Sequence, residues 1–91
     1  MHKYDPNALK LSAKRREKNI RAFKDTIKKE QDLIDHFRYV ISQIDPDHED
    51  VKKIHSTIDK KRKNIEIFKQ AIRDEKIQIG QELKLAQELV S

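Results

Sequence analysis

Apolar residues recur at alternating spacings of three and four along most of the chain, a pattern typical of an amphipathic helix with one narrow buried stripe. The pattern is clearest in residues 18–34 and 63–79, which start 45 residues apart and are identical at eight of seventeen positions. In both segments the five stripe positions read Ile, Phe, Ile, Glu and Ile, in that order. The sequence therefore predicts two copies of one helix.

The two predicted helices are separated at Pro46. Proline disfavours helical geometry in the residue before it, and neither Gly nor another Pro interrupts the stripe that precedes it. We therefore predict a helix from about residue 6 to 44, a turn at about 45–47 and a second helix from about 47 to 89. Gly80 lies inside the second helix, where we expect weakening or a bend.

Aspartates mark the starts of both helices. Asp5 is predicted to cap the first helix, because its carboxylate accepts hydrogen bonds from free backbone amides and Pro6 suits the first helical position. For the second helix two arrangements stay open. Either Asp47 is the cap, or Asp45 is the cap with Pro46 in the first helical position.

Helices joined by so short a turn pack as antiparallel neighbours. The predicted fold class is therefore all-α, an antiparallel two-helix hairpin of the coiled-coil kind. The favoured register sets charged seam residues against opposite charges, with Arg16 facing Glu75 and Lys61 facing Glu30. A register shifted by about one turn would set Lys61 against Ile34 and stays open. We interpret these four polar residues as layers that fix the register, with a chemical site as the weaker alternative.

The composition supports a thin core rather than a thick one. The chain is 35% hydrophobic and 41% charged, and its single Gly and two Pro argue against the many turns of an all-β fold. At 91 residues we predict a single domain, residues 1–91. Apolar side chains beside the seam would stay partly exposed, so we predict a homodimer in which two hairpins form a four-helix bundle. These side chains are Leu33, Val40, Ile67, Ile77 and Leu83.

Positive charge is concentrated in the first and last thirds of the chain. Residues 1–29 carry ten basic and three acidic residues (net +7), residues 30–59 three and eight (net −5), and residues 60–91 eight and five (net +3). Clustered Lys and Arg either contact phosphates or acidic proteins, or form a solvated helix face, and both interpretations stay open. The candidate contact residues are Lys14, Arg15, Lys18, Arg21, Lys28, Lys29, Lys60, Arg62 and Lys63.

No motif in the sequence indicates catalysis or cofactor binding. The chain has no Cys, no His-x-x-x-His pair, no Gly-rich phosphate loop and no nucleophile with an evident base. The acidic turn around Asp47 departs from the EF-hand calcium loop, so we interpret its acids as helix caps. We therefore expect no enzyme activity, no cofactor and no metal.

The leading functional prediction is a protein-interaction module, such as an adaptor, a chaperone-like partner, an inhibitor or an immunity protein. It would bind a protein partner through exposed faces of the hairpin. The alternative is a nucleic-acid-binding regulator that contacts phosphates through its Lys and Arg clusters. Because neither a signal peptide nor a transmembrane stretch is evident, we expect a cytoplasmic protein that does not enter a membrane; export without a leader stays open.

Overall fold

The computed structural model describes residues 5–90, and these form two α-helices. Helix α1 spans Pro6–Gln43 and helix α2 spans Asp50–Val90, with no strand among the described residues. The two helices pack against each other as a hairpin. The predicted all-α hairpin is therefore confirmed, whereas its pairing into a four-helix bundle stays a prediction.

Asp5 caps α1 as the sequence predicts. Its Oδ1 accepts a hydrogen bond from the amide of Asn7 at 2.9 Å, and its carbonyl accepts one from the amide of Leu9 at 3.0 Å. Pro6 is the first helical residue and has no amide hydrogen to satisfy. The start of α1 is thus set by the chemistry of two adjacent side chains.

Helix α2 begins at Asp50, three residues later than predicted, because Asp45 is used by a reverse turn. The Asp45 carbonyl accepts from the amide of His48, and its Oδ1 accepts from the amide of Asp47, both at 2.9 Å. His48 then caps α2: its Nδ1 accepts from the amide of Asp50 at 3.1 Å, and its carbonyl accepts from that of Val51 at 3.1 Å. The expected caps at Asp47 or Asp45 were therefore wrong.

The hairpin divides into two compact units, which we describe separately. The turn unit is Lys24–Lys69, and the terminal unit combines Met1–Phe23 with Gln70–Ser91. In the turn unit, three buried isoleucines form the core, and four half-buried apolar side chains pack against them. The buried residues are Ile34, Ile58 and Ile65, and the packed residues are Ile27, Phe37, Ile41 and Ile54.

The terminal unit buries a smaller apolar set, namely Ala13, Ile20, Ile72 and Ala86. All seven buried apolar residues of the two units occupy the same heptad position, one stripe residue in every seven. The seam therefore follows the predicted stripe, and its fully buried residues all lie at one of the two stripe positions.

Helix α2 continues through Gly80 without a break, and the weakening or bend expected there stays a prediction. The backbone of Gly80 has no positive φ, and a Cβ built on it would meet nothing within 4 Å. The helix therefore does not require glycine at this position.

We predict that Gly80→Ala raises the free energy of unfolding by up to about 1 kcal/mol, because alanine loses less backbone entropy on folding. Urea unfolding followed by circular dichroism measures the change. Gln81→Ala, a substitution at the exposed neighbouring position, is the control and should shift stability by only about 0.4 kcal/mol. A loss of stability in Gly80→Ala would mean that another molecule or conformation uses the space beside Gly80.

Within residues 5–90, neither helix includes a stretch that is both long enough and apolar enough to cross a bilayer.

Candidate functional site

An ion cluster centred on Arg16 lies in the seam of the terminal unit. The guanidinium donates from Nε to Oε1 of Glu82 and from an Nη nitrogen to Oε1 of Glu75, the second at 3.2 Å. The side chains of Arg16, Glu75 and Glu82 are 31%, 19% and 12% exposed. The pair of Arg16 with Glu75 lies where the favoured register placed it, but the contact with Glu82 was not predicted.

The Arg16 cluster holds its charges rather than sharing a proton. Burial alone would raise the pKa of Glu82, but the Ser12 hydroxyl and the Arg16 guanidinium, both directed at the carboxylate, together hold that pKa below its usual value. The hydrogen bond to Glu82 in turn raises the pKa of Arg16, against the opposing effect of burial. Glu82 is therefore ionised at neutral pH and pairs with the Arg16 guanidinium.

A second polar layer, in the turn unit, pairs Lys61 with Glu30. The Lys61 Nζ lies 3.5 Å from Oε2 of Glu30, and the two side chains are 21% and 18% exposed. This contact matches the favoured register and not the shifted one, which would have set Lys61 against Ile34.

We predict that Glu30→Lys destabilises the hairpin by about 1–2 kcal/mol, because it places a second cation beside a half-buried ammonium group. Adding Lys61→Glu to that variant should recover most of the loss by restoring the pair in reverse. Chemical denaturation of the wild type, both single variants and the double variant gives the coupling energy directly. Additive effects of the two substitutions would show that the layer does not set the register.

The predicted contact residues all lie on the exposed surface, divided between the two units. Lys14, Arg15, Lys18 and Arg21 belong to the terminal unit, and Lys28, Lys29, Lys60, Arg62 and Lys63 belong to the turn unit. The Nη1 atom of Arg62 lies 3.9 Å from Oδ1 of Asp59 on the same helix, and both side chains are well exposed. Such a pair is worth little, so the charge of Arg62 remains available to a partner.

The turn unit also carries a basic edge that the sequence analysis missed. Each heptad contributes two residues to the seam, and each member of the basic edge directly follows the second of these two. On antiparallel helices these positions lie along one edge of the seam. All are exposed, four are basic and none is acidic. The basic edge consists of Lys24, Gln31, Arg38, His55, Arg62 and Lys69.

In the part of the chain that the structure describes, the candidate sites are the ion pairs of the seam and the basic edge. Among residues 5–90, no group of three or more His, Asp or Glu side chains is placed to bind a metal ion. No protein-family model, curated protein or solved structure matches the chain.

Proposed function

We propose that this chain is a non-enzymatic protein-interaction module that self-associates and binds an acidic protein partner along its basic edge. The observation that carries the proposal is the edge itself, with Lys24, Arg38, Arg62 and Lys69 exposed and no acid among its six positions. The helical scaffold fixes the backbone positions of these cations before binding, so that only their side chains have to be ordered by a partner. The proposal covers an adaptor, a chaperone-like partner, an inhibitor or an immunity protein.

The absence of enzymatic activity belongs to the same proposal. The polar groups within the seam are engaged with each other, Arg16 with Glu75 and Glu82, and Lys61 with Glu30. A carboxylate held in its ionised form by a guanidinium is a poor general acid at neutral pH. The seam groups therefore support the scaffold, and the exposed edge supports binding.

Binding to nucleic acid is the alternative use of the same charges. A basic edge attracts phosphates as readily as carboxylates. Recognition of single-stranded bases also uses exposed aromatic rings, and among the described residues only Tyr39 is an exposed aromatic, whereas Phe37 is half-buried in the seam. This distribution favours a protein partner over a single-stranded nucleic acid.

Affinity capture from the native cell, with and without nuclease, separates the two functions. We expect the wild type to retain a protein partner after nuclease treatment and the double variant Lys24→Glu/Arg62→Glu to lose it. Lys52→Glu/Lys84→Glu, which also reverses two charges but at exposed lysines outside the basic edge, is the charge-matched control and should keep the partner. Retention by the edge variant would overturn the assignment of the basic edge.

A salt titration with defined nucleic acids completes the test. If the alternative holds, capture is lost after nuclease, and the purified protein binds duplex DNA or RNA with a log affinity that falls linearly with log salt. We expect no such binding at physiological salt.

A further inference from the structure

The edge opposite the basic edge is uncharged except at Asp50, where α2 begins. In the turn unit its other members directly precede Ile27, Ile34, Ile41, Ile58 and Ile65, one on each heptad. None is charged, although 41% of the residues in the chain are. We call this set the uncharged edge, and it consists of Thr26, Leu33, Val40, Thr57 and Asn64.

In the turn unit, the uncharged edge is more buried than the basic edge. Thr26, Val40 and Thr57 are half-buried, whereas every residue of the basic edge is exposed. Leu33 nevertheless remains 41% exposed, and Ile67, one helical turn after Asn64, is 65% exposed. The uncharged edge therefore combines small polar side chains with apolar groups that the hairpin alone leaves in water.

Charged side chains border the uncharged edge without entering it. Lys29 and Lys60 lie three residues after Thr26 and Thr57, on the outer faces of the two helices, and both are exposed. An uncharged centre with a charged rim is the usual organisation of a protein interface.

The terminal unit repeats this pattern on its own helices. The residues directly before Ala13, Ile20, Ile72, Ile79 and Ala86 are again uncharged, namely Ser12, Asn19, Ala71, Gln78 and Leu85. Ten of the eleven positions of this kind are therefore uncharged in a chain rich in charge, and the exception is Asp50 at the start of α2.

The chain leaves more surface exposed than a compact monomer of its mass. The chain has 7233 Å² of accessible surface, whereas a folded monomer of its 10.9 kDa mass exposes about 5,600 Å². The surplus is about 1,600 Å², and obligate homodimers bury about 1,000–2,500 Å² on each protomer. A second hairpin is therefore a partner of the right size.

We propose that a second copy of this chain docks on the uncharged edge of the turn unit, an inference that rests on the self-association proposed above. In a two-fold dimer the same patch meets itself. Docking through the basic edge would bring Arg38, Arg62 and their neighbours against identical cations, whereas the uncharged edge meets itself without repulsion. The dimer then presents two basic edges outward, so partner binding gains avidity from two linked sites.

Matched substitutions on the two edges test this assignment by sedimentation equilibrium. Asn64→Lys and Gln31→Lys each convert an exposed amide into an ammonium group, the first on the uncharged edge and the second on the basic edge. Asn64→Lys should weaken the dimer at least about tenfold, because it places a charge in an uncharged interface where no opposite charge offsets its loss of hydration. Gln31→Lys should leave the dimer unchanged.

A second variant and a folding control make the outcomes unambiguous. Asn64→Asp, of opposite sign, should also weaken the dimer, and far-ultraviolet circular dichroism should show full helicity in all three variants. A wild type that is monomeric at its highest soluble concentration overturns self-association itself. A wild-type dimer that resists both Asn64 variants, or is weakened by Gln31→Lys, overturns only the choice of edge.

Discussion

Replacing Ile34 with alanine is expected to remove about 3–4 kcal/mol from the free energy of unfolding. Ile34 is 1% exposed and is the largest fully buried side chain among residues 5–90. It lies in the cluster with Ile58 and Ile65, and the half-buried side chains that pack against this cluster fill only part of the space that the substitution leaves. A loss of this size is a large part of the roughly 5–14 kcal/mol that a domain of 91 residues has in total.

The same chemical change at an exposed position is the control for Ile34→Ala. Ile77 is 57% exposed, so Ile77→Ala should change the free energy of unfolding by no more than about 0.5 kcal/mol. Both variants should be measured by urea unfolding at one protein concentration, because the stability of a self-associating chain depends on concentration. Equal losses in the two variants would contradict the narrow seam described above.

The sequence predicted the seam because a single heptad position carries almost all of it. The spacing of three and four placed Ile20, Ile34, Ile58, Ile65 and Ile72 on the stripe, and the structure buries all five. Periodicity is set by backbone geometry alone, so it is readable without knowing the partner helix.

The register was also readable, because charged residues on a seam need opposite charges. The contacts of Arg16 with Glu75 and of Lys61 with Glu30 follow from that requirement. The contact of Arg16 with Glu82 does not follow from it. A guanidinium on a long side chain reaches a carboxylate one heptad away from the facing residue, and facing positions alone do not predict this reach.

Local chemistry at the turn was harder to predict than the helices. Aspartate is the stronger helix cap by preference, so the sequence favoured Asp45 or Asp47. The backbone turn instead engages Asp45 and leaves His48 at the start of α2. Preference for a residue type does not show which candidate the turn geometry selects.

The two edges of the seam were missed for a different reason. Runs of neighbouring lysines and arginines stand out in a sequence, whereas Lys24, Arg38 and Lys69 are dispersed along it. Only the antiparallel pairing of α1 with α2 brings residues on the same heptad position to one edge. The partner itself is not encoded in these residues, since an acidic protein and a nucleic acid satisfy the same positive charges.

Removing the guanidinium of Arg16 is expected to give the largest loss of stability of any polar substitution in this hairpin. Arg16→Met keeps the apolar stem but leaves the carboxylates of Glu75 and Glu82, 19% and 12% exposed, without their shared cation. The loss at neutral pH should exceed that of Glu30→Lys. Adding Glu75→Gln and Glu82→Gln to Arg16→Met should recover much of the stability, because the uncompensated charges are then gone.

The pH dependence distinguishes lost charge pairing from lost packing in Arg16→Met. In the wild type the folded pKa of Glu82 lies below its ordinary value near 4.5, so its stabilising contribution is present above pH 4.5 and is lost as the pH falls through the folded pKa. Without Arg16, less opposes the effect of burial, which raises the folded pKa of Glu82. Protonation of Glu82 then removes a half-buried, unpaired charge, so the variant regains stability relative to the wild type on acidification. The difference between the two proteins should therefore be largest at neutral pH and shrink below about pH 4. Urea midpoints measured from pH 3 to pH 7 give this difference, and a gap that stays constant over that range would assign the role of Arg16 to packing.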